Sequence, residues 1–343
     1  MNIYQDSGYL DVAKIIRLGF PFNFIVGGRA TGKTYTSLET VVNENIKFMF
    51  MRRTQEQANL INKPEFSPFK TLNRDHGWNI GTKPITKYNS AFYNMEEDGE
   101  TLTPQGPPLG YTCALSTISN MRGFDASDVK ILIYDEFIPE RHERPLKNEG
   151  HAFLNAYETI NRNRELNGQK PLQVLCLANA NDLANPLFME LKLVRKAEQM
   201  RRKGQEISID DKRGIAIFIL NKSPISEQKR NTALYRLSQD TEFSEMSLEN
   251  NFMGEESGKI KSRPLCEYKP LVSIGEICIY EHKGYGSYYV STHRVGSPPS
   301  FGAGEIERAR FQRQYNWLWL EYMRNNVEFE DILCEILLTK YYK

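Results

Sequence analysis

The segment GGRATGKT, Gly27–Thr34, constrains the fold of this chain more than any other feature. It matches the pattern G-x-x-x-x-G-K-[ST] without a mismatch, and it lies between an apolar run, Phe22–Val26, and a helical pattern that begins at Thr34. Backbone N–H groups of such a loop, together with the N-terminus of the helix, bind phosphate oxygens. The sequence therefore predicts a nucleotide site built from a strand, a loop and a helix.

Two side chains of this segment have specific expected roles. Lys33 is expected to reach the β- and γ-phosphates, and Thr34 to bind Mg²⁺. ATP and Mg²⁺ are thus the expected cofactors. The residues expected to surround the nucleotide are Gly27, Gly28, Arg29, Ala30, Thr31, Gly32, Lys33 and Thr34.

The first two-thirds of the chain alternates short apolar runs with helical patterns, among them Thr34–Asn45 and His151–Asn161. The runs are nearly continuous, which is typical of parallel strands covered on both faces. This alternation predicts an α/β fold with a mostly parallel sheet and right-handed crossovers. The predicted strands are Phe22–Val26, Lys47–Met51, Lys130–Tyr134, Leu172–Ala178 and Gly214–Leu220.

Other segments depart from this alternation. The turn-rich stretch within Gly81–Ser116 predicts a β-hairpin insertion or a loop-rich excursion. After a helical pattern at Ile225–Asp240, strand patterns in Leu271–Thr292 precede two predicted helices, Glu305–Asn325 and Glu328–Tyr341. We therefore predict a P-loop domain over residues 1–222, a linker over 223–255 and a small α+β domain over 256–343.

Composition excludes several classes of protein. The 44 basic and 43 acidic residues leave a net charge of +1, which argues against histone-like binding of nucleic acid but permits a local basic face. Lys192–Lys203 is the best candidate for that face, with a solvated helix as the alternative. No stretch reaches the ~18 apolar residues of a membrane helix, and the N-terminus lacks a secretory signal pattern. Five scattered cysteines without CxxC spacing indicate a reducing cytoplasm and no structural zinc.

The segment KILIYDEF places two carboxylates, Asp135 and Glu136, at the end of a predicted buried strand. The aspartate can hold Mg²⁺ through water, and the glutamate can polarise a water molecule for attack on the γ-phosphate. Asn179 ends another predicted strand, where its amide can bridge the attacking water and the phosphate; Asn181 is the alternative. This pattern predicts hydrolysis by water rather than transfer to a substrate hydroxyl.

Several arginines are candidates for contact with phosphate. Arg52 and Arg53 end the second predicted strand and could line the nucleotide or support the loop, and Arg53 is the one that we expect to bind it. An arginine from a neighbouring subunit can also neutralise charge in the transition state. For each arginine, a surface ion pair is the alternative. The remaining candidates are Arg29, Arg122, Arg162 and Arg164.

The order of the segments GGRATGKT, MRRT, LIYDEF, NRNRE, LANANDLANPLF and FSEMSLENNFMG resembles the DNA-packaging (encapsidation) ATPases of small phi29-like tailed phages, compact relatives of terminase large subunits. The resemblance runs from about Phe22 to Gly254. It implies an additional-strand P-loop ATPase followed by a linker and an RNase H-like domain. It also implies a ring motor, usually a pentamer, that docks on the portal of an empty capsid in the host cytoplasm and drives double-stranded DNA inward. A packaging RNA is a further partner that it suggests.

The resemblance assigns roles to individual residues beyond the phosphate loop and the two carboxylates. Asn179 falls at the coupling position, and Arg162 at the position of an arginine finger that faces the neighbouring subunit. Arg122 falls where the family presents another trans-acting basic residue, which is lysine elsewhere.

Full terminases also cut DNA with converging carboxylates and two metal ions. The C-terminal part offers Glu267, Glu276 and Glu281 but no aspartate between Asp240 and Asp331, so we expect no nuclease activity. A helicase or remodelling ATPase, and a scaffold that binds but does not hydrolyse ATP, are the rival functions.

Overall fold

The computed structural model describes residues 2–98, 101–121, 123–140, 143, 146–179, 183–220, 230–239, 241 and 258–342. The chain divides into two compact units, Met1–Leu193 with Gln199–Met253, and Val194–Glu198 with Gly254–Lys343. Most of the predicted linker, 223–255, lies outside the described residues, as do Arg122 and Asn181. Within the helix predicted over Ile225–Asp240, the structure describes a short helix at Ala233–Leu237.

The first unit is built on a nine-stranded sheet. Its strands are β1 (Phe22–Gly27), β2 (Phe48–Arg52), β3 (Ile80–Pro84), β4 (Ser90–Asp98), β5 (Thr101–Ala114), β6 (Ile131–Asp135), β7 (Gln173–Ala178), β8 (Ile207–Asp210) and β9 (Ile215–Leu220). They lie in the order β3-β4-β5-β2-β6-β7-β1-β9-β8. The six strands from β5 to β9 in this order are parallel, whereas β3 and β4 on one side and β8 on the other are antiparallel.

This sheet confirms the predicted α/β fold. Each of the five apolar runs forms a strand within one residue of its predicted bounds, and the central strands are buried along nearly their whole length. Strand β7 lies between β1, which leads into the phosphate loop, and β6, which carries Asp135. That inserted strand is the additional strand that the resemblance implies.

The turn-rich segment forms a hairpin of β4 and β5 rather than a loop. Strand β5 includes Pro104, Pro107 and Pro108, residues that cannot donate to a ladder of hydrogen bonds. It pairs with β2 only from Gly110 onward, so the prolines occupy the stretch where β5 has a neighbour on one side. The structure thus keeps proline at a sheet edge, which is where sheets tolerate it.

Short helices connect these strands. In the first unit they are α1 (Val12–Arg17), α2 (Lys33–Asn43), α3 (Gln55–Leu60), α4 (Lys70–His76), α5 (Glu149–Asn161), α6 (Pro186–Glu190), α7 (Val194–Arg202, whose first five residues group with the second unit) and α8 (Ala233–Leu237). Within the described ranges, no helix has the length and apolar character needed to cross a membrane.

The second unit holds a smaller mixed sheet of β10 (Tyr268–Ile274), β11 (Ile277–His282), β12 (Tyr288–Ser291), β13 (Ser300–Phe301) and β14 (Val327–Phe329). The strand order is β13-β10-β11-β12-β14, and the helices are α9 (Glu305–Gln314), α10 (Asn316–Met323) and α11 (Ile332–Tyr342). The single helix predicted over Glu305–Asn325 is interrupted at Tyr315, whose ring stacks on Phe311 with centroids 5.3 Å apart.

The last predicted helix, Glu328–Tyr341, begins too early. Val327 and Phe329 are buried and Glu328 between them is half-buried, which is the alternation of a strand, and β14 pairs in parallel with β12. The helix itself begins at Ile332. Three residues are too few for the alternation to stand out in the sequence beside a longer helical pattern.

Candidate active site

The phosphate loop joins β1 to α2 as the sequence predicts. Gly32 has a φ of +83°, and a Cβ atom on this residue would lie 2.7 Å from the ring of Tyr9. Ala30 also has a positive φ, +59°. The hydroxyl of Thr31 donates to the carbonyl oxygen of Gly28 at 3.2 Å. Both the backbone twist and the packing therefore require glycine at position 32.

The ammonium group of Lys33 lies at the centre of this loop. Its side chain is buried, with 8% of the residue exposed. Nζ donates to the carbonyl oxygens of Gly27 at 2.9 Å and Gly28 at 2.8 Å, and to Oδ1 of Asn179 at 3.4 Å. The structure thus brings the predicted phosphate-binding lysine and the predicted coupling asparagine together, although they are far apart in the sequence.

The two residues expected to hold Mg²⁺ also meet. Oγ1 of Thr34 donates to Oδ1 of Asp135 at 2.9 Å. A hydroxyl and a carboxylate are hard oxygen ligands, which is the donor set that magnesium prefers next to a phosphate. Since Asp135 ends β6 and Thr34 is in the first turn of α2, both lie at the edge of the sheet where the parallel strands end. The donor set therefore fits Mg²⁺.

Glu136 follows Asp135 in a conformation that is unusual for a residue with a side chain. Its φ is +57°, which costs a residue other than glycine roughly 1–3 kcal/mol, and strain of this kind clusters at functional sites. The side chain is half-exposed. Desolvation raises the pKa of this carboxyl above its ordinary value, against the opposing effect of Arg52, and the charge of Asp135 raises it further. A raised pKa makes a carboxylate a stronger base.

One arginine connects both carboxylates. Arg52 donates from Nη1 to Oδ2 of Asp135 at 2.7 Å and from Nη2 to Oε2 of Glu136 at 2.5 Å. From the sequence, Arg52 and Arg53 were both candidates, and Arg53 was the expected nucleotide ligand. Neighbouring side chains in a strand point to opposite faces, so only one of this pair can face the carboxylates. The alternation of side chains was therefore the sequence signal that only one of these two arginines could reach the site.

The expectation for Arg53 is corrected by the structure. Its side chain is only 1% exposed, and its guanidinium binds Glu149 through Nε at 2.7 Å and Nη2 at 3.1 Å. Nη1 binds Glu143 at 2.9 Å. Arg53 therefore belongs to a buried ion-pair cluster that ties the end of β2 to the start of α5, and it is not placed as a nucleotide ligand.

Removing Glu149 is expected to destabilise the first unit strongly. Glu149→Ala would leave the charge of Arg53 buried and would also remove the acceptor for the Tyr134 hydroxyl and the Leu146 N–H. Breaking a buried pair in this way costs about 3–5 kcal/mol, measurable as a lower denaturant midpoint. Glu143→Ala is the matched control, because that carboxylate is 30% exposed and its loss should cost about 1 kcal/mol or less. Equal effects of the two substitutions would contradict this account.

Of the remaining arginines, Arg29 lies within the loop, whereas Arg162 and Arg164 lie away from it. Arg29 forms an ion pair with Glu140, and both side chains are substantially exposed. Arg162 ends α5 with a φ of +51° and donates to the carbonyl oxygen of Phe124 at 2.7 Å. Arg164 is buried and donates to the carbonyl oxygen of Ala126 at 2.8 Å. Arg122 cannot be placed, since it lies outside the described residues.

Arg162 lies at the opposite edge of the sheet from the phosphate loop. It precedes the start of β7, and its contact Phe124 precedes the start of β6, whereas the loop follows the end of β1. Since these strands are parallel, their beginnings and ends lie on opposite edges. The side chain is 47% exposed. Arg162 therefore lies too far from the phosphate loop of its own chain to contact a phosphate there.

Comparison with known proteins finds relatives that are described as DNA packaging proteins. The DNA packaging proteins of Bacillus phages phi29 and B103 are each 27% identical to the chain over 246 residues, or 70% of its length. The match spans 65% of the phi29 protein's length and 67% of the B103 protein's.

Solved structures show a similar fold. The structure titled "The bacteriophage Phi-29 viral genome packaging motor assembly" matches with a TM-score of 0.68 over 100% of both chains, at 19% identity. "The Phi-28 gp11 DNA packaging Motor" matches with a TM-score of 0.60 over 96% of this chain and 95% of the other, at 18% identity. The profile of the family described as "Podovirus DNA encapsidation protein (Gp16)" matches residues 5–274. This chain therefore belongs to the podovirus DNA encapsidation protein (Gp16) family.

Proposed function

We propose that this chain is the subunit of an ATP-hydrolysing motor that moves double-stranded viral DNA through the portal into a preformed capsid. The observation that carries the proposal is the hydrogen bond between Thr34 and Asp135, which joins the phosphate loop to the carboxylates at the end of β6. Membership of the encapsidation family directs this chemistry towards DNA packaging.

The proposed reaction is the hydrolysis of ATP to ADP and phosphate. Backbone N–H groups of the loop and the ammonium of Lys33 bind the phosphates. When ATP binds, the ammonium exchanges the carbonyl oxygens of the loop for phosphate oxygens. Bound Mg²⁺, held through Thr34 and Asp135, would supply positive charge to the phosphates. Glu136 accepts a proton from the attacking water, and its raised pKa suits this role. Asn179, beside Lys33, orients that water and responds to loss of the γ-phosphate.

The proposed assembly is a ring of identical subunits, a pentamer as the resemblance implies. Placement of Arg162 at the far edge of the sheet supports a role in the site of a neighbouring subunit. The partners of the ring are double-stranded DNA, the portal and a packaging RNA, with the motor docked on the prohead in the host cytoplasm.

We further propose that the C-terminal unit does not cut DNA. Among the described residues, the group of three potential metal ligands is Glu330, Asp331 and Cys334, none of which was predicted from the sequence to bind metal. Oε2 of Glu330 accepts hydrogen bonds from Ser291 Oγ at 2.9 Å and from the Thr292 N–H at 3.0 Å, so this oxygen already has protein partners. Purified protein incubated with plasmid and Mg²⁺ or Mn²⁺ should leave the plasmid intact, and linear or degraded plasmid would contradict the proposal.

A packaging assay tests the function as a whole. Proheads, genomic DNA and ATP are incubated with the protein, and DNA that becomes resistant to added nuclease is measured. The expected result is protected DNA that requires ATP, together with ATP hydrolysis stimulated by proheads and DNA. Strand separation of a forked duplex without protection would indicate a helicase, and no turnover would indicate a scaffold; either result would overturn the proposal.

A further inference from the structure

A second cavity lies in the first unit, away from the phosphate loop. Its volume is about 230 Å³, and its lining comes mainly from α3 and from the turn between β3 and β4. The lining residues include Gln55 and Asn59, one turn apart on α3, Asn62 two residues beyond the end of this helix, and Lys87 and Asn89 of the turn. Every lining residue except Ala58 and Pro84 has a polar side chain, and no described lining residue carries a carboxylate.

The polar groups of this cavity are not all used by the protein. Asn59 accepts a hydrogen bond from Gln55 at 2.8 Å, and Asn89 accepts one from Thr86, but within the described residues neither amide nitrogen donates a hydrogen bond. Oδ1 of Asn62 is buried and has no partner there either. A carboxamide can present either its N–H donors or its oxygen to a given point, because a 180° flip exchanges the two. The amides of Asn59, Asn62 and Asn89 and the ammonium of Lys87 are therefore available to a ligand.

These observations define the ligand by its chemistry. A site with amide N–H donors and a lysine, and without negative charge, fits an acceptor-rich anion. Phosphate oxygens of nucleic acid are bound by this mixture of lysine, asparagine, glutamine, serine, threonine and tyrosine side chains. A carboxylate in the lining would repel such a ligand, and none is present among the described residues.

The cavity lies at the same edge of the sheet as the phosphate loop but apart from it. Helix α3 follows the end of β2, and the turn that carries Lys87 joins the end of β3 to the start of β4. Both therefore lie at the same sheet edge as the phosphate loop, but β7, β6, β2 and β5 separate the loop strand from β4. The cavity is thus a site separate from that of ATP.

We propose that this cavity binds a backbone phosphate of double-stranded DNA. The proposal rests on the proposed packaging function, because that function supplies duplex DNA as the ligand. The contact recognises the phosphodiester group and not the bases, so it holds DNA of any sequence. Lys87 supplies the charge, and Asn59, Asn62 and Asn89 supply the hydrogen bonds.

The test measures binding of a random-sequence DNA duplex to the full-length protein at several salt concentrations. Lys87→Gln should reduce the slope of log K against log salt by about 0.9, the value for one phosphate contact. Asn59→Asp should weaken binding about tenfold or more, because it places a like charge against the phosphate. Neither residue belongs to the catalytic machinery, so basal ATP hydrolysis should be unchanged in both variants.

Two matched controls change the same charges at the opposite sheet edge. The controls are Lys170→Gln, at a residue that precedes β7, and Asn45→Asp, at a residue that precedes β2. Both residues are exposed. Asn45 has a φ of +51°, a value that aspartate also tolerates. Both controls should bind DNA as the unchanged protein does. Equal binding by the cavity variants and the controls would overturn this inference while leaving the packaging function intact. Absence of DNA binding by the unchanged protein would overturn both.

A further experiment distinguishes a phosphate of DNA from free inorganic phosphate as the ligand of the cavity. Inorganic phosphate is added at an ionic strength matched with chloride. We expect phosphate and chloride to weaken DNA binding equally, because a free phosphate ion makes one contact where the duplex makes several. Selective displacement of DNA by inorganic phosphate, lost in Asn59→Asp, would identify the free ion as the ligand and overturn the assignment to DNA.

Discussion

Replacing Arg162 with alanine should reduce ATP turnover by the assembled ring by a factor of ~10³–10⁵, the range for arginines that complete a site in trans. The side chain lies at the sheet edge opposite its own phosphate loop and is half-exposed, so its loss should leave nucleotide binding by the isolated subunit unchanged. The measurement is steady-state phosphate release with proheads and DNA, beside binding of a fluorescent ATP analogue. Arg17→Ala, an exposed arginine paired with Glu44, is the control and should retain turnover.

Mixing of variants distinguishes action in trans from action in cis. Subunits carrying Arg162→Ala have an intact Glu136, and subunits carrying Glu136→Gln have an intact Arg162. If Arg162 acts on the neighbouring site, mixed rings contain interfaces that combine both intact residues, and part of the turnover returns. Two inactive variants that stay inactive when mixed would show that both residues serve the same subunit.

Glu136→Gln should reduce the catalytic rate by ~10²–10⁴-fold, the usual contribution of a general base, and ATP should still bind. Glutamine keeps the size of the side chain and can still accept a hydrogen bond from Arg52, so the fold of the site should survive. Glu140→Gln is the control, because Glu140 pairs with Arg29 on the exposed side of the loop. Normal turnover by Glu136→Gln would remove this residue from the role of base.

The pH dependence of turnover provides a second readout for Glu136. The residue must be deprotonated to accept a proton, and its pKa is raised by desolvation. Turnover in the unchanged protein should therefore begin to fall, as the pH is lowered, at a higher pH than the ordinary pKa of glutamate would give. Glu136→Gln should lose this acid limb, whereas Glu140→Gln should keep it.

The sequence predicted the parallel core and the residues around the phosphate loop because both leave strong local patterns. Strands β1, β6 and β7 are largely apolar because both faces are buried, and the loop combines its glycines and lysine at a fixed spacing. The nearness of Lys33 to Asn179 then follows from topology, because the ends of parallel strands share one edge.

Features that depend on packing between distant segments were missed. The alternation of side chains sends Arg52 and Arg53 to opposite faces, but it does not show which face holds the site. The partners decide: carboxylates at the end of β6 for Arg52, and a buried glutamate in α5 for Arg53. The short strand β14 exists because β12 offers it an edge. The cavity beside α3 likewise combines two segments whose polar residues look in the sequence like ordinary turns and caps.

The pairing of β1 has a consequence for synthesis of the protein. Phe22 pairs with Val174 on one side and Ile215 on the other, so the strand that leads into the phosphate loop leaves the ribosome long before either neighbour exists. At ~5–20 residues per second, the wait for β9 is about 10–40 s. Until β7 emerges, this apolar strand has two open edges and only non-native strands to pair with, and until β9 emerges one edge stays open, which promotes aggregation. Productive expression should therefore depend on chaperones that shield the nascent N-terminal segment until β9 has emerged.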